Sequence, residues 1–392
     1  MIEFVRYMKK KAMRALLSPM KLLRVKNNKV LLIDELSRKY AGNPKAISEY
    51  LNDQYRRDID VVYSVGDESK YAHLRERGIV PVTMNSFGYF YHAMTSRVLV
   101  TNSGGLSYIP LRKSQFVINT HHGGGAYKKV GTDMFGNNRY FRKDLMLSSK
   151  QINLFLSTNK RFTEALSRSC LIPKEVFWEI GMPRSDRLIH GDEKDKREIR
   201  EKIGLKEGQR LVLYAPTYRK PSDDYFKGSI AINYNIDSKA VCDALRQRFG
   251  VEWVFAYRLH PCVENKQDYI LDGALDLSGY EDMQDLLVVT DVMINDFSSS
   301  LWDFLLTGRP CFMYAPDMEH YIETTEVYTP VGEWPFPKSH NNEELIQSIL
   351  DFDEAQYRRD CERHYTDLGG CETGRATELV CKKIAEVCHS KT

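Results

Sequence analysis

Short apolar runs recur along the chain, and between them lie stretches whose apolar positions repeat at helical spacing. Val30 to Ile33, Asp60 to Val65, Val80 to Met84, Arg97 to Thr101, Gln115 to Thr120, Leu154 to Ser157 and Val176 to Ile180 read as strands. Helices are predicted between them, from an Asn43 cap with Pro44 at the first position to about Leu51, and near Lys70 to Arg77, Phe87 to Met94 and Lys160 to Ser167. A charged stretch follows, Gly191 to Lys206, and then the pattern returns with Leu211 to Tyr214, Val251 to Tyr257, Asp291 to Ile294 and Pro310 to Tyr314. The tail from Asn342 to Ser390 reads as helical, with a break at Gly369-Gly370. Strands alternating with helices imply parallel sheets covered on both faces. The expected class is α/β, with two doubly wound, Rossmann-like domains facing across a cleft. Residues 29–190 form the first domain, 191–206 a linker, and 207–392 the second, whose C-terminal helices can return to the first. A chain of 392 residues agrees, because a single core seldom organises that length.

Residues 1–28 have a different pattern. Phe4, Val5, Met8, Ala12, Ala15 and Leu16 share one helical face, while Arg6, Lys10, Lys11 and Arg14 lie largely away from it, and Ser18-Pro19 interrupts the helix. Such a basic amphipathic helix either lies on an anionic membrane surface or packs on its own domain with a solvated charged face. The positive charge of this segment exceeds that of the whole chain, which favours the membrane.

Composition narrows the field. The overall charge of +3 is too small to argue for nucleic acid as a partner. The 8 cysteines are scattered without a CxxC pair, and no signal peptide precedes the first strand, so reduced thiols in the cytosol are expected. Cys361, His364, Cys371 and Cys381 match no standard zinc spacing. No apolar run is long enough to cross a bilayer.

Candidate chemistry sits at the strand ends, where open α/β sheets bind ligands. The strand ending at Thr120 runs into His121-His122-Gly123-Gly124-Gly125-Ala126-Tyr127-Lys128-Lys129. Glycines let a backbone approach a substrate closely, lysines suit an anion, and a neutral imidazole takes a proton near pH 7. The structural alternative is a glycine-rich turn with a satisfied histidine. In the second half three strands deliver Thr217 and Arg219, Arg258 and His260, and Ser298 and Ser299. Arg258 and His260, one residue apart, share a face of an extended chain, with Pro261 stiffening the exit. Serines opening a helix offer hydroxyls, free amides and the positive end of a dipole. Each of these also has an ordinary reading, as a salt-bridged strand end or a serine N-cap. Arg184 and Asp186 likewise read as an ion pair at the domain boundary. Taken jointly, the strand ends favour a phosphate-rich ligand. A base in one domain and diphosphate donors in the other are what transfer to an acceptor hydroxyl requires. No acidic metal motif is present, and cationic side chains and helix amides can hold the charge a metal would otherwise hold.

The set His122-Gly123 with Lys128-Lys129, Gly181-Met182-Pro183-Arg184-Ser185-Asp186, Tyr214-Ala215-Pro216-Thr217-Tyr218-Arg219, Arg258-Leu259-His260-Pro261 and Asp296-Phe297-Ser298-Ser299 resembles the CDP-glycerol glycerophosphotransferases of teichoic acid and capsule synthesis. Gly42-Asn43-Pro44 is similar to theirs as well, and the resemblance spans roughly Val30 to Pro316. It implies a GT-B fold, with the acceptor held mainly by the first domain and CDP-glycerol, or a related CDP-alditol such as CDP-ribitol, mainly by the second. It implies His122 as the base, attack of the acceptor oxygen on the β-phosphorus, and release of CMP without a cofactor. His260 and Arg258 would neutralise the diphosphate and Ser298 and Ser299 add phosphate contacts, while Gly123, Arg184, Pro216, Thr217 and Asp303 fall among substrate-binding positions. The acceptor implied is a polyprenyl-diphosphate-linked or polymeric glycan at the cytoplasmic face of the membrane. The chain departs from the usual first motif in having His121 in place of a tryptophan and Gly124-Gly125-Ala126 in place of Thr-Pro, so both histidines stand as candidates for the base. The rival expectations are a GT-B glycosyltransferase using a nucleotide sugar and a non-catalytic nucleotide- or glycan-binding protein.

Overall fold

A computed structural model describes residues 2–35, 38–125, 127–191, 193–219, 232, 234–260 and 263–390. Ala126 and Pro261, both named in the motifs above, lie outside the described residues. The chain divides into two compact units, residues 1–186 with 369–392, and residues 187–368.

The first unit contains β1 (Lys26–Ile33), β2 (Asp60–Val65), β3 (Ile79–Thr83), β4 (Ser96–Thr101), β5 (Phe116–Asn119), β6 (Leu154–Ser157) and β7 (Phe177–Glu179). They form one parallel sheet in the order β3-β2-β1-β4-β5-β6-β7. Val30 to Ile33 are all fully buried, because both faces of a parallel sheet are covered. Alternation decides which face each residue serves. Val30, Leu32, Val61, Tyr63, Val98 and Val100 pack with Ile47 and Leu51 of helix Gly42–Tyr55 and with Val380 and Ile384 of helix Ala376–His389. Leu31, Ile33, Val62 and Leu99 pack instead with Tyr89, Ala93 and Met94 of helix Phe87–Thr95.

The second unit contains β8 (Gln209–Tyr214), β9 (Glu252–Tyr257), β10 (Leu275–Asp276), β11 (Val292–Asn295), β12 (Cys311–Tyr314) and β13 (Lys338–Ser339), again parallel, in the order β10-β9-β8-β11-β12-β13. In both sheets the order reverses beside the first strand, between β1 and β4 and between β8 and β11. Ligands bind such sheets beyond the carboxyl ends of the strands at that reversal.

Two boundaries differ from the sequence expectation, and the tail follows it in part. The division falls between Asp186 and Arg187, and helix Glu193–Lys202, expected to be a linker, belongs to the second unit with Ile199 and Ile203 buried. The tail, expected to return in part to the first domain and to break at Gly369-Gly370, divides there: helix Glu354–Asp367 stays in the second unit, while helix Ala376–His389 covers the sheet of the first. Lys26 to Asn28, counted in the amino-terminal segment, open β1. The preceding helix, Ile2–Leu17, packs along helix Arg139–Ser149, with the Phe4 and Tyr140 rings 4.9 Å apart and Lys10 Nζ 2.5 Å from Asp144 Oδ2. Its other side leaves Val5 44%, Met8 47% and Leu16 72% exposed, so packing on the domain and an open apolar face coexist. Among the described residues no helix is long and apolar enough to cross a membrane.

Candidate functional site

In the first unit the site grows from the end of β5. His121 adopts a left-handed conformation (φ 53°), which is uncommon outside glycine and turns the chain sharply there. Its ring faces Phe162 edge-on at 5.4 Å, and its Nδ1 is engaged within the loop, 3.2 Å from the Gly123 nitrogen and 3.3 Å from the Gly123 oxygen. Burial, with smaller contributions from His122 and Arg184, lowers its pKa to about 3. His122 stacks on it at 4.5 Å but is oriented differently, with Nδ1 3.2 Å from the carbonyl oxygen of Asn102 at the end of β4. A carbonyl only accepts, so Nδ1 carries the proton and Nε2 keeps its lone pair. Burial lowers the His122 pKa too, so the ring is neutral at physiological pH.

The loop is held by a residue the sequence reading assigned elsewhere. Asn43 does not cap its helix; Ala41 occupies that position without a side-chain bond, and Asn43 is buried as the second residue of the helix. Its Nδ2 donates to the carbonyl oxygens of His121 (3.1 Å) and Thr120 (3.4 Å), and its Oδ1 accepts from Arg184 N–H at 3.0 Å. The Arg184 guanidinium bonds to the carbonyl oxygen of His122. The Asp186 carboxylate accepts from the amides of Ala376 (3.1 Å) and Thr377 (2.7 Å), starting the last helix. Gly42-Asn43-Pro44, the histidine loop and Met182-Pro183-Arg184 are thus one cluster. Nearby, at the end of β1, burial raises the Glu35 carboxyl to a pKa of about 7 against the opposing pull of Ser103, Lys10 and Tyr108. Nothing in the sequence marks Glu35, because an acid at a strand end is common.

In the second unit the predicted residues gather at the ends of β8, β9 and β11. Thr217 N–H donates to Asp296 Oδ1 at 2.8 Å, and Thr217 Oγ1 is buried without a hydrogen-bond partner among the described residues. Pro216 is buried beside it. The His260 ring lies 4.8 Å from that of Tyr218. Arg258 donates to the carbonyl oxygens of Tyr280 and Glu281, both at 3.3 Å, while its buried Nε has no partner among the described residues. Ser299 occupies the cap position of helix Ser300–Leu305 but makes no side-chain cap bond and is exposed, which sets aside the ordinary N-cap reading for it. Ser298 Oγ lies 3.0 Å from Ser300 Oγ. Asp303 is buried and accepts from Gln284 Nε2 at 2.7 Å. Arg219 fits its structural reading: it is clamped by Asp317 at 2.7 and 2.8 Å and by Asp296 at 2.9 Å. Among the described residues no three His, Cys, Asp or Glu side chains gather as a metal site.

Comparison with known proteins adds four findings. A sequence model of the CDP-glycerol:poly(glycerophosphate) glycerophosphotransferase family matches residues 16–386. The chain is 28% identical over 379 residues to a teichoic acid glycerol-phosphate transferase of Staphylococcus aureus, covering 93% of this chain and 95% of that protein. It is 26% identical over 374 residues to a teichoic acid poly(glycerol phosphate) polymerase of Bacillus spizizenii, covering 92% of each. Its fold is that of the wall teichoic acid polymerase TagF, with a TM-score of 0.81 over 98% of this chain and 97% of that one at 24% identity.

Proposed function

The chain belongs to the CDP-glycerol:poly(glycerophosphate) glycerophosphotransferase family, and from that premise we propose that it transfers glycerol phosphate from CDP-glycerol to a hydroxyl of a teichoic-acid-type glycan. The observation that carries the assignment of roles is the His122 tautomer. With Nδ1–H on the Asn102 carbonyl, Nε2 is free to accept the acceptor proton. The deprotonated oxygen attacks the β-phosphorus of CDP-glycerol, the bond from that phosphorus to the bridging oxygen breaks, and the electron pair leaves with CMP. His121 serves the loop, since its ring is packed on Phe162 and its Nδ1 is occupied.

In the second unit, the Arg258 Nε, the Thr217 hydroxyl, the Ser299 hydroxyl and His260 are the groups proposed to meet the donor diphosphate. Together they form a donor set that needs no bound cofactor. The exposed apolar side of helix Ile2–Leu17 and its exposed Lys9 and Lys11 support docking on an anionic membrane, where a polyprenyl-diphosphate-linked acceptor would be presented.

Acceptor-dependent CMP release from CDP-glycerol tests the reading. His122→Ala is expected to abolish release with CDP-glycerol affinity near normal, and His121→Ala to retain turnover. The reverse pattern would transfer the base role to His121. Turnover of a nucleotide sugar without any CDP-alditol turnover would favour a glycosyltransferase, and binding without release a recognition protein.

A further inference from the structure

At the carboxyl end of β1, Asp34 is 2% exposed, and its Oδ1 accepts from Asn102 Nδ2 at 2.8 Å. The oxygen of the same amide, Asn102 Oδ1, accepts from Glu35 N–H at 3.2 Å. The Asn102 side chain is therefore gripped at both ends by the strand across the point where the sheet order reverses. Its main-chain carbonyl is the one that faces His122 Nδ1 at 3.2 Å.

We infer that Asp34 is a positioning residue for the transfer reaction: through Asn102 it fixes the carbonyl that sets the His122 tautomer, and its charge steadies the imidazolium formed when His122 takes the acceptor proton. The inference rests on His122 being the base. In the proton transfer the acceptor O–H bond breaks, an Nε2–H bond forms, and Nδ1–H stays on Asn102. The ring then carries a positive charge in a buried place. Arg184, bonded to the carbonyl oxygen of His122, disfavours that charge, and His121 is stacked directly on the ring. The Asn102 carbonyl and, more weakly, the Asp34 carboxylate favour the charged ring against burial and Arg184. Outer partners of this kind, which touch no substrate, orient and tune the group that does.

The test uses the full chain with Asp34→Asn, which can keep a hydrogen bond to Asn102 but loses the charge, and Asn102→Ala, which releases the grip but retains the carbonyl. Two quantities are read: the pH profile of kcat/KM for acceptor-dependent CMP release from CDP-glycerol, and the titration and tautomer of the His122 ring by nitrogen NMR, assigned by its absence in His122→Ala. Asp34→Asn is expected to lower kcat on the order of 10- to 100-fold with the CDP-glycerol KM unchanged. It should also move the His122 titration and the acid limb of the profile together to lower pH. Asn102→Ala should mix the two ring tautomers. An Asp34→Asn chain whose His122 titration and acid limb stay where they were overturns the inference whatever its turnover. If Asp34→Asn does not fold, an unchanged Nδ1-protonated tautomer in Asn102→Ala overturns it. Retained turnover in His122→Ala would overturn the base assignment instead, and the NMR titration would still report whether Asp34 governs the ring.

Discussion

Replacing Asn43 with alanine should unmoor the histidine loop. The side chain makes one bond of 3.1 Å to the His121 carbonyl oxygen, a longer one of 3.4 Å to that of Thr120, and accepts one of 3.0 Å from Arg184 N–H. Alanine supplies neither donor nor acceptor, and the position is buried, so water does not readily take their place. A buried N–H deprived of its acceptor costs about 1 to 3 kcal/mol, and the lost bond to His121 about 1 kcal/mol more. The His121 oxygen keeps the Thr120 hydroxyl at 3.1 Å, which limits the second contribution. Local stability should therefore fall by about 2 to 4 kcal/mol. Turnover should fall further than stability implies, because a displacement of about 1 Å in a reacting group can cost about 100-fold. Hydrogen exchange read by mass spectrometry over residues 118–125 and 180–186, beside kcat for CMP release, measures both. Faster exchange confined to these two segments with a large loss of kcat is expected. Unchanged exchange with kcat within twofold would refute the assignment of Asn43 as the anchor of the loop.

Further outcomes follow from the same geometry. His260→Ala should weaken both CDP-glycerol affinity and turnover, measured by calorimetry and CMP release, because its proposed contact is with the donor. Ser299→Ala should raise the CDP-glycerol KM by roughly 3- to 10-fold with little change in thermal stability, since the hydroxyl makes no cap bond to lose. Converting the exposed Lys9, Lys11 and Lys21 to glutamine should weaken sedimentation with anionic vesicles by on the order of 100-fold, at about 1 kcal/mol for each charge; undiminished binding would count against membrane docking. The first unit should lose stability as pH falls from about 6.5 towards 3. In that window the unfolded chain protonates His121, whose folded pKa is about 3 against an ordinary 6.5, and the folded chain does not. Denaturant titrations between pH 4 and 8 with and without His121→Phe would show the slope diminish in the variant.

The strands and the cluster of chemistry at their ends were readable from the chain alone. Runs such as Val30 to Ile33 and Leu211 to Tyr214 have no solvated alternative, and in a parallel sheet the residue that follows such a run is placed at the ligand-binding edge whatever the rest of the molecule does. That is why His122, Thr217 and Ser299 could be singled out by position. Partners distant in sequence were not readable. Asn43 looked like a helix cap, because a short amide before an apolar helical pattern usually is one, and only the approach of the β5 loop and Arg184 gave it another role. Asp34 and Asn102 have no signature, since a buried amide bridging two strand ends leaves no periodic trace. The two-residue strands β10 and β13 are too short to show alternation. Helices Glu354–Asp367 and Ala376–His389 each present a buried face, but which sheet each one covers depended on the complementary surface available. Local pattern determines which face of an element must be buried, whereas tertiary packing determines against what, and the tautomer of one imidazole was decided at that second level.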